Sequence, residues 1–341
     1  MKAGIQSSIP LASFTTFHIG GPAEFFIEAN TEEEIDGAIT YAREHSLPLY
    51  ILGAGSNILV PDAGVKGVVM KITLNGVSFE NDGDKEIVIA GAGTQWEKIV
   101  NASGERGFFG VENLAGIPGT VGGAVVQNIG AYGAELADTF EYADVLNSKT
   151  GERSRIFRAD AEFAYRSSFF KKNRELIILR VALRLSKQTK PNISYPDLVR
   201  ARERGSPLGT PIEIAGIIRS IRAAKFPDSS DEGTAGSFFK NPIVPRELAD
   251  SLAKRFNGLP IFPKGENMAK IPLAWLLDNA LSLKGFSKGN VRLYEKQPLV
   301  VVARAGATFA EVDAFAREIT ERIFSETGIM IEREVENFSA R

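Results

Sequence analysis

The stretch from Gly110 to Glu135, GVENLAGIPGTVGGAVVQNIGAYGAE, constrains this 341-residue chain more than any other. Seven of the chain's 33 glycines fall within residues 110–133. A packed core needs larger side chains, whereas small residues let backbone approach a flat or charged ligand closely. The run from Asn113 to Ala134 is uncharged and has the length of a membrane span. Its six Gly, one Pro, two Asn and one Gln, with no sustained Leu/Ile/Val/Phe run, exclude that reading. Asn113, Gln127, Asn128 and Tyr132 add polar groups without charge. A second segment, Ile51 to Leu59 (ILGAGSNIL), runs from an apolar strand into a glycine turn. Consecutive N–H groups in such a turn can curl into an anion-binding concavity, although the same residues also suit an ordinary tight turn. It is not a G-x-G-x-x-G fingerprint, because Ile58 occupies the sixth position, and no Gly-Lys dipeptide exists to make a P-loop. Two uncharged, backbone-rich loops suit a large nucleotide cofactor whose pyrophosphate is held by main-chain donors.

Composition narrows the chemistry. The chain has no cysteine, which removes disulfides, thiolate nucleophiles, iron–sulfur clusters and Cys-based zinc sites, and it fits a reducing compartment. Only His18 and His45 are present, so paired-His zinc sites and His-dependent hydrolase triads are disfavoured. A formal net charge of -2 argues against a general nucleic-acid binder. The N-terminal residues lack the apolar core of a secretory signal. At about 150 residues per domain, the length suggests two or three domains.

Capping-box patterns (S/T-x-x-E) begin at Thr31, Thr94, Thr210 and Thr308. Helical spacing follows the first through Ile35, Ala38, Ile39 and Ala42. It follows the last through Val312, Phe315, Ala316, Ile319 and Ile323, with Gly328 as C-cap. Strand-like runs lie at 49–52, 67–72, 87–91, 176–185, 298–303 and 328–335. The mixture lacks a strict βαβ alternation and predicts an α+β fold. A polar, Pro-containing stretch predicts an inter-domain connection near 190–216. The Ser-Phe-Phe-Lys runs at 168–171 and 237–240 are read as coincidence. Thr210 to Phe226 reads as a helix with Pro211 in its first turn. Arg219, Arg222 and Lys225 make a basic stripe near its end, which also complements the helix dipole.

Three more segments complete a pattern: Ala164 to Lys171 (AYRSSFFK), Gly236 to Pro242 (GSFFKNP) and Glu332-Arg333-Glu334-Val335. With the two glycine loops and Thr16 to Gly21 (TFHIGG), they resemble the UDP-N-acetylenolpyruvoylglucosamine reductase family over nearly the whole chain. The resemblance implies three α+β domains. Residues 1–70 and 71–216 would form a FAD-binding unit of the vanillyl-alcohol-oxidase type, with the C-terminal strand 329–341 joining the second subdomain. Residues 217–328 would bind a nucleotide sugar. Gly53, Ala54, Gly55, Ser56 and Asn57 would hold the FAD pyrophosphate. Ile117, Pro118, Gly119, Thr120, Gly122, Gln127, Asn128, Gly130 and Tyr132 would line the flavin.

The activity implied is NADPH-dependent reduction of the enolpyruvyl ether of UDP-N-acetylglucosamine-enolpyruvate to UDP-N-acetylmuramate, a step of peptidoglycan precursor synthesis. Hydride would pass from flavin N5 to the β-carbon, and Ser237 would give a proton to the α-carbon. Arg166 and Glu334 would stabilise the developing charge. Glu334 is preferred to Glu332 because it directly precedes Val335. Arg222, Lys225, Asn241 and Gln297 would contact the nucleotide sugar. Ser194-Tyr195-Pro196-Asp197-Leu198 is similar to the loop of the tyrosine-loop subclass, with Tyr195 closing over substrate. FAD would be non-covalent, since no Cys is present. No metal, nucleic acid or membrane insertion is expected, and the protein is expected to be a cytoplasmic monomer. Another flavin oxidoreductase of the same fold, and a nucleotide-sugar binder without turnover, remain open at this point.

Overall fold

Strand Leu176–Ser186 buries Ile177, Leu179, Val181, Leu183 and Leu185 on one face, while its other face carries Arg180 and Arg184 beside the buried Ile178 and Ala182. It lies centrally in a five-stranded sheet, in the order Arg153–Phe157, Phe140–Asn147, Leu176–Ser186, Lys85–Gly91 and Val77–Asp82. All neighbouring pairs are antiparallel. The structure, a computed structural model, describes residues 4–82, 85–227 and 232–339. It divides into two compact units. The first comprises residues up to Ile9, Ala23–Ala54 and Lys66–Arg222. The second comprises Pro10–Pro22, Gly55–Val65 and the chain from Ala223 onward. The architecture is α+β, as expected.

The first unit holds a second sheet, in the order Gln6–Pro10, Pro22–Ala29, Val65–Ile72 and Leu49–Leu52, whose last two strands are parallel. Helix Glu32–Glu44 starts at a complete capping box of Thr31 and Glu34 and buries Ile35, Ala38, Ile39 and Ala42. One apolar cluster runs from Ile27 and Ile35 through Trp96 and Val181 to Ile218, so both sheets share a core. Trp96 is fully buried, and its indole N–H donates to the Leu114 carbonyl at 2.9 Å. That bond anchors the start of the glycine-rich segment to helix Trp96–Glu105.

In the second unit, helix Phe309–Thr327 packs Val312, Phe315, Ala316, Ile319 and Ile323 into a separate core. Its capping box pairs Thr308 with Glu311, Gly328 closes it at φ 70°, and Asp62 accepts from the Phe309 and Ala310 amides. Phe17, Ile19 and Leu59, from early in the chain, belong to this core. Two three-stranded sheets flank it in sequence: Ile243–Pro245, Met268–Lys270 and Phe262–Lys264, then Ser287–Lys288, Val291–Leu293 and Val301–Ala303.

Several expectations are corrected. Thr94 does not cap a helix: its hydroxyl bonds both the N–H and the C=O of Gly76 at 3.2 Å, and helix Trp96–Glu105 starts one residue later. The Glu97 carboxylate accepts instead from the Gly116 amide at 2.7 Å, so tertiary partners outcompete the local box. Residues 190–216 are no linker. They carry helix Pro196–Glu203 and the start of helix Pro211–Lys225, with Leu198 and Ile214 fully buried in the first unit's core. The division between units falls after Arg222. The run 328–335 forms only an isolated bridge, Arg333 to Phe239. The strand proper is Glu336–Asn337, and it pairs in parallel with Ile58–Leu59 rather than with the subdomain expected at 71–216. The two Ser-Phe-Phe-Lys runs differ in conformation: Ser168 caps a short helix, while Ser237 sits in an extended bridge with Val300.

The Thr308 cap yields a stability prediction. Thr308→Ala removes the oxygen that accepts from the Glu311 amide and should cost about 1 kcal/mol. A urea midpoint lowered at unchanged slope checks it; an unmoved midpoint contradicts it.

Candidate functional site

Backbone strain marks one locality in the first unit. Eight non-glycine residues among those described have positive φ, and Asn128, Tyr132 and Arg166 are three of them. Such conformations cost of order 1–3 kcal/mol each and persist where surroundings over-determine them. Asn128 ends helix Val121–Gln127 in the left-handed region at φ 40° and is fully buried. Its amide nitrogen donates to Glu135 and to the Ala164 carbonyl, and its oxygen accepts from the Ala137 amide. The bond to Ala164 brings segments 128–137 and 164–168 together.

Arg166 thus lies against the glycine loop, with Nη2 donating to the Gly130 carbonyl at 2.8 Å. A Cβ at position 130 would stand 3.0 Å from Arg166 Nη1, so glycine is what admits the guanidinium. Lys171, which the sequence reading did not single out, donates to Gln127 Oε1 at 2.7 Å and to the Arg166 carbonyl at 3.3 Å. In the same segment Thr120 caps helix Val121–Gln127 through the Gly123 amide. Gly122 passes so close to Ala92 that a Cβ would meet its methyl at 3.0 Å. Ile117 and Gly119 are half-buried and Pro118 exposed.

Tyr132 connects this locality to the expected tyrosine loop. Its ring meets that of Tyr195 edge to face at 5.2 Å. Tyr195 precedes helix Pro196–Glu203 and is 40% exposed. The Tyr132 phenol also hydrogen-bonds Arg222, and Arg222 Nε donates to the Gly116 carbonyl at 3.0 Å. Burial disfavours the charged form of Arg222 and pushes the Tyr132 phenol up to about 12, with Arg222 opposing the latter shift. Asn113 is buried, its nitrogen donating to the Tyr132 and Asn192 carbonyls, while its oxygen has no partner.

The second unit holds the remaining candidates. Gly55 sits at φ 64°, where a Cβ would lie 2.0 Å from the Phe14 carbonyl oxygen. Asn57 donates through Nδ2 to the Glu334 carbonyl at 3.1 Å, and its own carbonyl accepts from Glu336. The Glu334 amide donates to the Phe238 carbonyl at 2.8 Å, and Phe238 donates to Leu299, so Glu334 and Ser237 sit on adjoining stretches of backbone. Glu332 is exposed and pairs with Lys240 at 2.8 Å. Asn241 Oδ1 accepts from the Leu273 amide, at the start of a helical segment that continues as a π-helical turn over Leu276–Ala280. The Gln297 carbonyl accepts from Val300, next to the bridge that holds Ser237. Lys225 is half-buried in the last turn of its helix.

Whether a flavin nucleotide fits can be judged from Thr16. Its hydroxyl is buried without a hydrogen-bond partner, and its amide donates to the Gly55 carbonyl. An unsatisfied hydroxyl beside a glycine turn suits a polar ligand group such as a phosphate oxygen. Sequence reasoning quoted Thr16 only as part of a motif. Gly53, at the other end of the turn, approaches Thr120, where a Cβ would stand 2.9 Å from the hydroxyl. Ala54 and Ser56 are half-buried. Among the described residues no group of three or more His, Asp or Glu is placed to hold a metal ion.

Comparison with known proteins supplies the decisive observation. Residues 23–156 match a FAD binding domain, and residues 228–338 match the C-terminal domain of UDP-N-acetylenolpyruvoylglucosamine reductase. The chain is 38% identical over 333 residues to the UDP-N-acetylenolpyruvoylglucosamine reductase of Bdellovibrio bacteriovorus, covering 97% of this chain and 98% of that one. The chain belongs to the UDP-N-acetylenolpyruvoylglucosamine reductase family. A family member of the same name from Pseudomonas aeruginosa is 37% identical over 337 residues, 98% of this chain and 99% of its own. The crystal structure of the Thermus caldophilus family member aligns over 98% of both chains with a TM-score of 0.69 at 25% identity.

The Tyr132 environment predicts a pH effect. Between its ordinary value of 10.0 and about 12, the folded protein keeps a phenolic proton that the unfolded chain gives up. Stability therefore falls with rising pH across that window and is unaffected below it. Absorbance at 295 nm should show a late tyrosine ionisation that Tyr132→Phe abolishes; an unchanged titration in that variant contradicts the assignment.

Proposed function

We propose that this chain is a FAD-containing, NADPH-dependent reductase that converts UDP-N-acetylglucosamine-enolpyruvate to UDP-N-acetylmuramate. The observation that carries the reading is end-to-end similarity to named reductases, joined to a second unit in which Ser237 and Glu334 lie on adjoining backbone. FAD held by the glycine-rich loops would supply the hydride chemistry that links NADPH to the enol ether. The work of the chain is to bind, orient and protonate. Arg166 is the cation for the substrate carboxylate, which a guanidinium can grip through two hydrogen bonds. Its strained backbone and the glycine opposite hold it in place. Ser237 is the proton donor to the α-carbon. A hydroxyl is a weak acid, but an enolate carbon is far more basic, so the transfer runs downhill. Glu334 steadies the charge that develops before that transfer.

The cofactor contacts we assign are the glycine turn 53–57, with the Thr16 hydroxyl added to it, and the stretches 117–122 and 127–132. The first unit's two sheets we read as the expected FAD-binding subdomains, and the second unit as the nucleotide-sugar module. Tyr195, exposed and edge-on to Tyr132, supports placement in the tyrosine-loop subclass, with that ring covering bound substrate. A sugar-nucleotide substrate and a dinucleotide reductant support a cytoplasmic reaction, carried out by a monomer.

The purified protein should be yellow, bleach with NADPH and recover its colour with the enolpyruvyl sugar nucleotide. A protein that FAD cannot colour refutes the reading. Ser237→Ala should leave bleaching near normal and slow recovery by at least about 100-fold, on the scale of general acid catalysis. Equal slowing of both halves would show that Ser237 is not the donor. Tyr195→Ala should raise KM for the sugar nucleotide several-fold while leaving bleaching unchanged; an unaltered KM removes the lid role.

A further inference from the structure

Arg333 ties together the two stretches of backbone that bear Ser237 and Glu334. Its Nη1 donates to Asp313 Oδ1 at 2.6 Å and its Nη2 to the Asp313 main-chain carbonyl at 3.1 Å. Its guanidinium carbon lies 5.8 Å from the centre of the Phe238 ring. Asp313 belongs to helix Phe309–Thr327, whose neighbours Val312, Phe315 and Ala316 are locked in the core. Phe238 follows Ser237 directly, and its carbonyl accepts the Glu334 amide.

The stretch 332–335 is poorly held by backbone alone. It forms no ladder, only the isolated Arg333–Phe239 bridge, the Lys240 amide donating to Glu332, and Glu334 and Val335 donating to Phe238 at 2.8 and 3.4 Å. A segment with so few cooperative bonds opens more readily than a strand within a sheet. A two-point bond to a rigid helix adds to the side-chain restraints from Asn57 and Lys240 in limiting it.

We infer that Arg333, clamped to Asp313, is a positioning residue that keeps the Glu334 carboxyl and the Ser237 hydroxyl in register for the protonation half of the reaction. The kinetic part of this inference rests on the proposed reductase reading. Misplacing a reacting group by about 1 Å can cost on the order of 100-fold in rate, so a side chain that touches no reactant can still matter. Removing Arg333 does not strand a charge, because Asp313 also pairs with Arg317 at 2.9 Å. The variant should therefore fold.

The test uses the holoenzyme with Arg333→Ala and Arg333→Lys, the latter able to restore one bond to Asp313. Flavin bleaching by NADPH should be unchanged in both variants. Recovery at saturating sugar nucleotide should fall about 10- to 100-fold in Arg333→Ala, with a smaller change in KM, and return partly in Arg333→Lys. Amide exchange over 332–335 should accelerate in parallel. Normal recovery in Arg333→Ala overturns the inference, as does equal slowing of both halves or a change confined to KM. A lower melting temperature with unaltered kinetics likewise reduces Arg333 to a structural role and overturns it. A wild-type flavoprotein that the sugar nucleotide cannot re-oxidise overturns the reductase reading itself and the kinetic role with it. That result is distinguishable, because it appears before any variant is made.

Discussion

A single buried amide organises the strained locality of the first unit. Asn128 carries no charge, yet it holds one donor bond to Glu135, one to the Ala164 carbonyl and one acceptor bond from Ala137. Buried polar groups repay their desolvation only when satisfied, and this one sits at a left-handed helix end that asparagine tolerates better than most residues. Because of it, the loop after the helix returns alongside residue 164, and Arg166 reaches the Gly130 carbonyl. A charged hub would have competed with a ligand carboxylate for Arg166. A neutral amide fixes geometry without adding a charge of its own beside Arg166, Lys171 and Glu135.

The second unit solves the same problem with backbone. Asn57 and Phe238 both engage Glu334 through its main-chain groups, which fixes the backbone at that position. Glu332, two residues earlier, sits in an exposed ion pair with Lys240. Exposed pairs of this kind contribute little to stability. Two glutamates that look alike in sequence are thereby separated by environment.

What could be read from the sequence follows from how local each signal is. The helix at 309–327 was legible because cap, apolar spacing and terminal glycine agree with one another, and the structure fulfils all three. The central strand 176–186 was legible from its dense run of Leu, Ile and Val. The Thr94 box failed because Gly76 and Gly116 provide partners that no local pattern reveals. The supposed linker failed because polar composition hides the buried Leu198 and Ile214. The candidate residues were named by resemblance to a family, whereas the contacts among them were not. Thr16, Lys171 and Asp313 acquire meaning only from contacts across long separations in the chain.

The basic stripe on helix Pro211–Lys225 shows how far equal spacing can mislead. Arg219 and Arg222 are one helical step apart and look equivalent in sequence. Arg219 is engaged by Glu97 and Asn101, so its charge is already balanced. Arg222 is half-buried and bonded to Gly116 and Tyr132, with the Glu97 charge also acting on it, and burial disfavours its ionised form. A guanidinium keeps its proton at ordinary pH, so Arg222 stays a cation in surroundings that resist charge. Two arginines on one stripe are thereby given different surroundings, because Glu97 and Asn101 bond the one and Gly116 and Tyr132 the other.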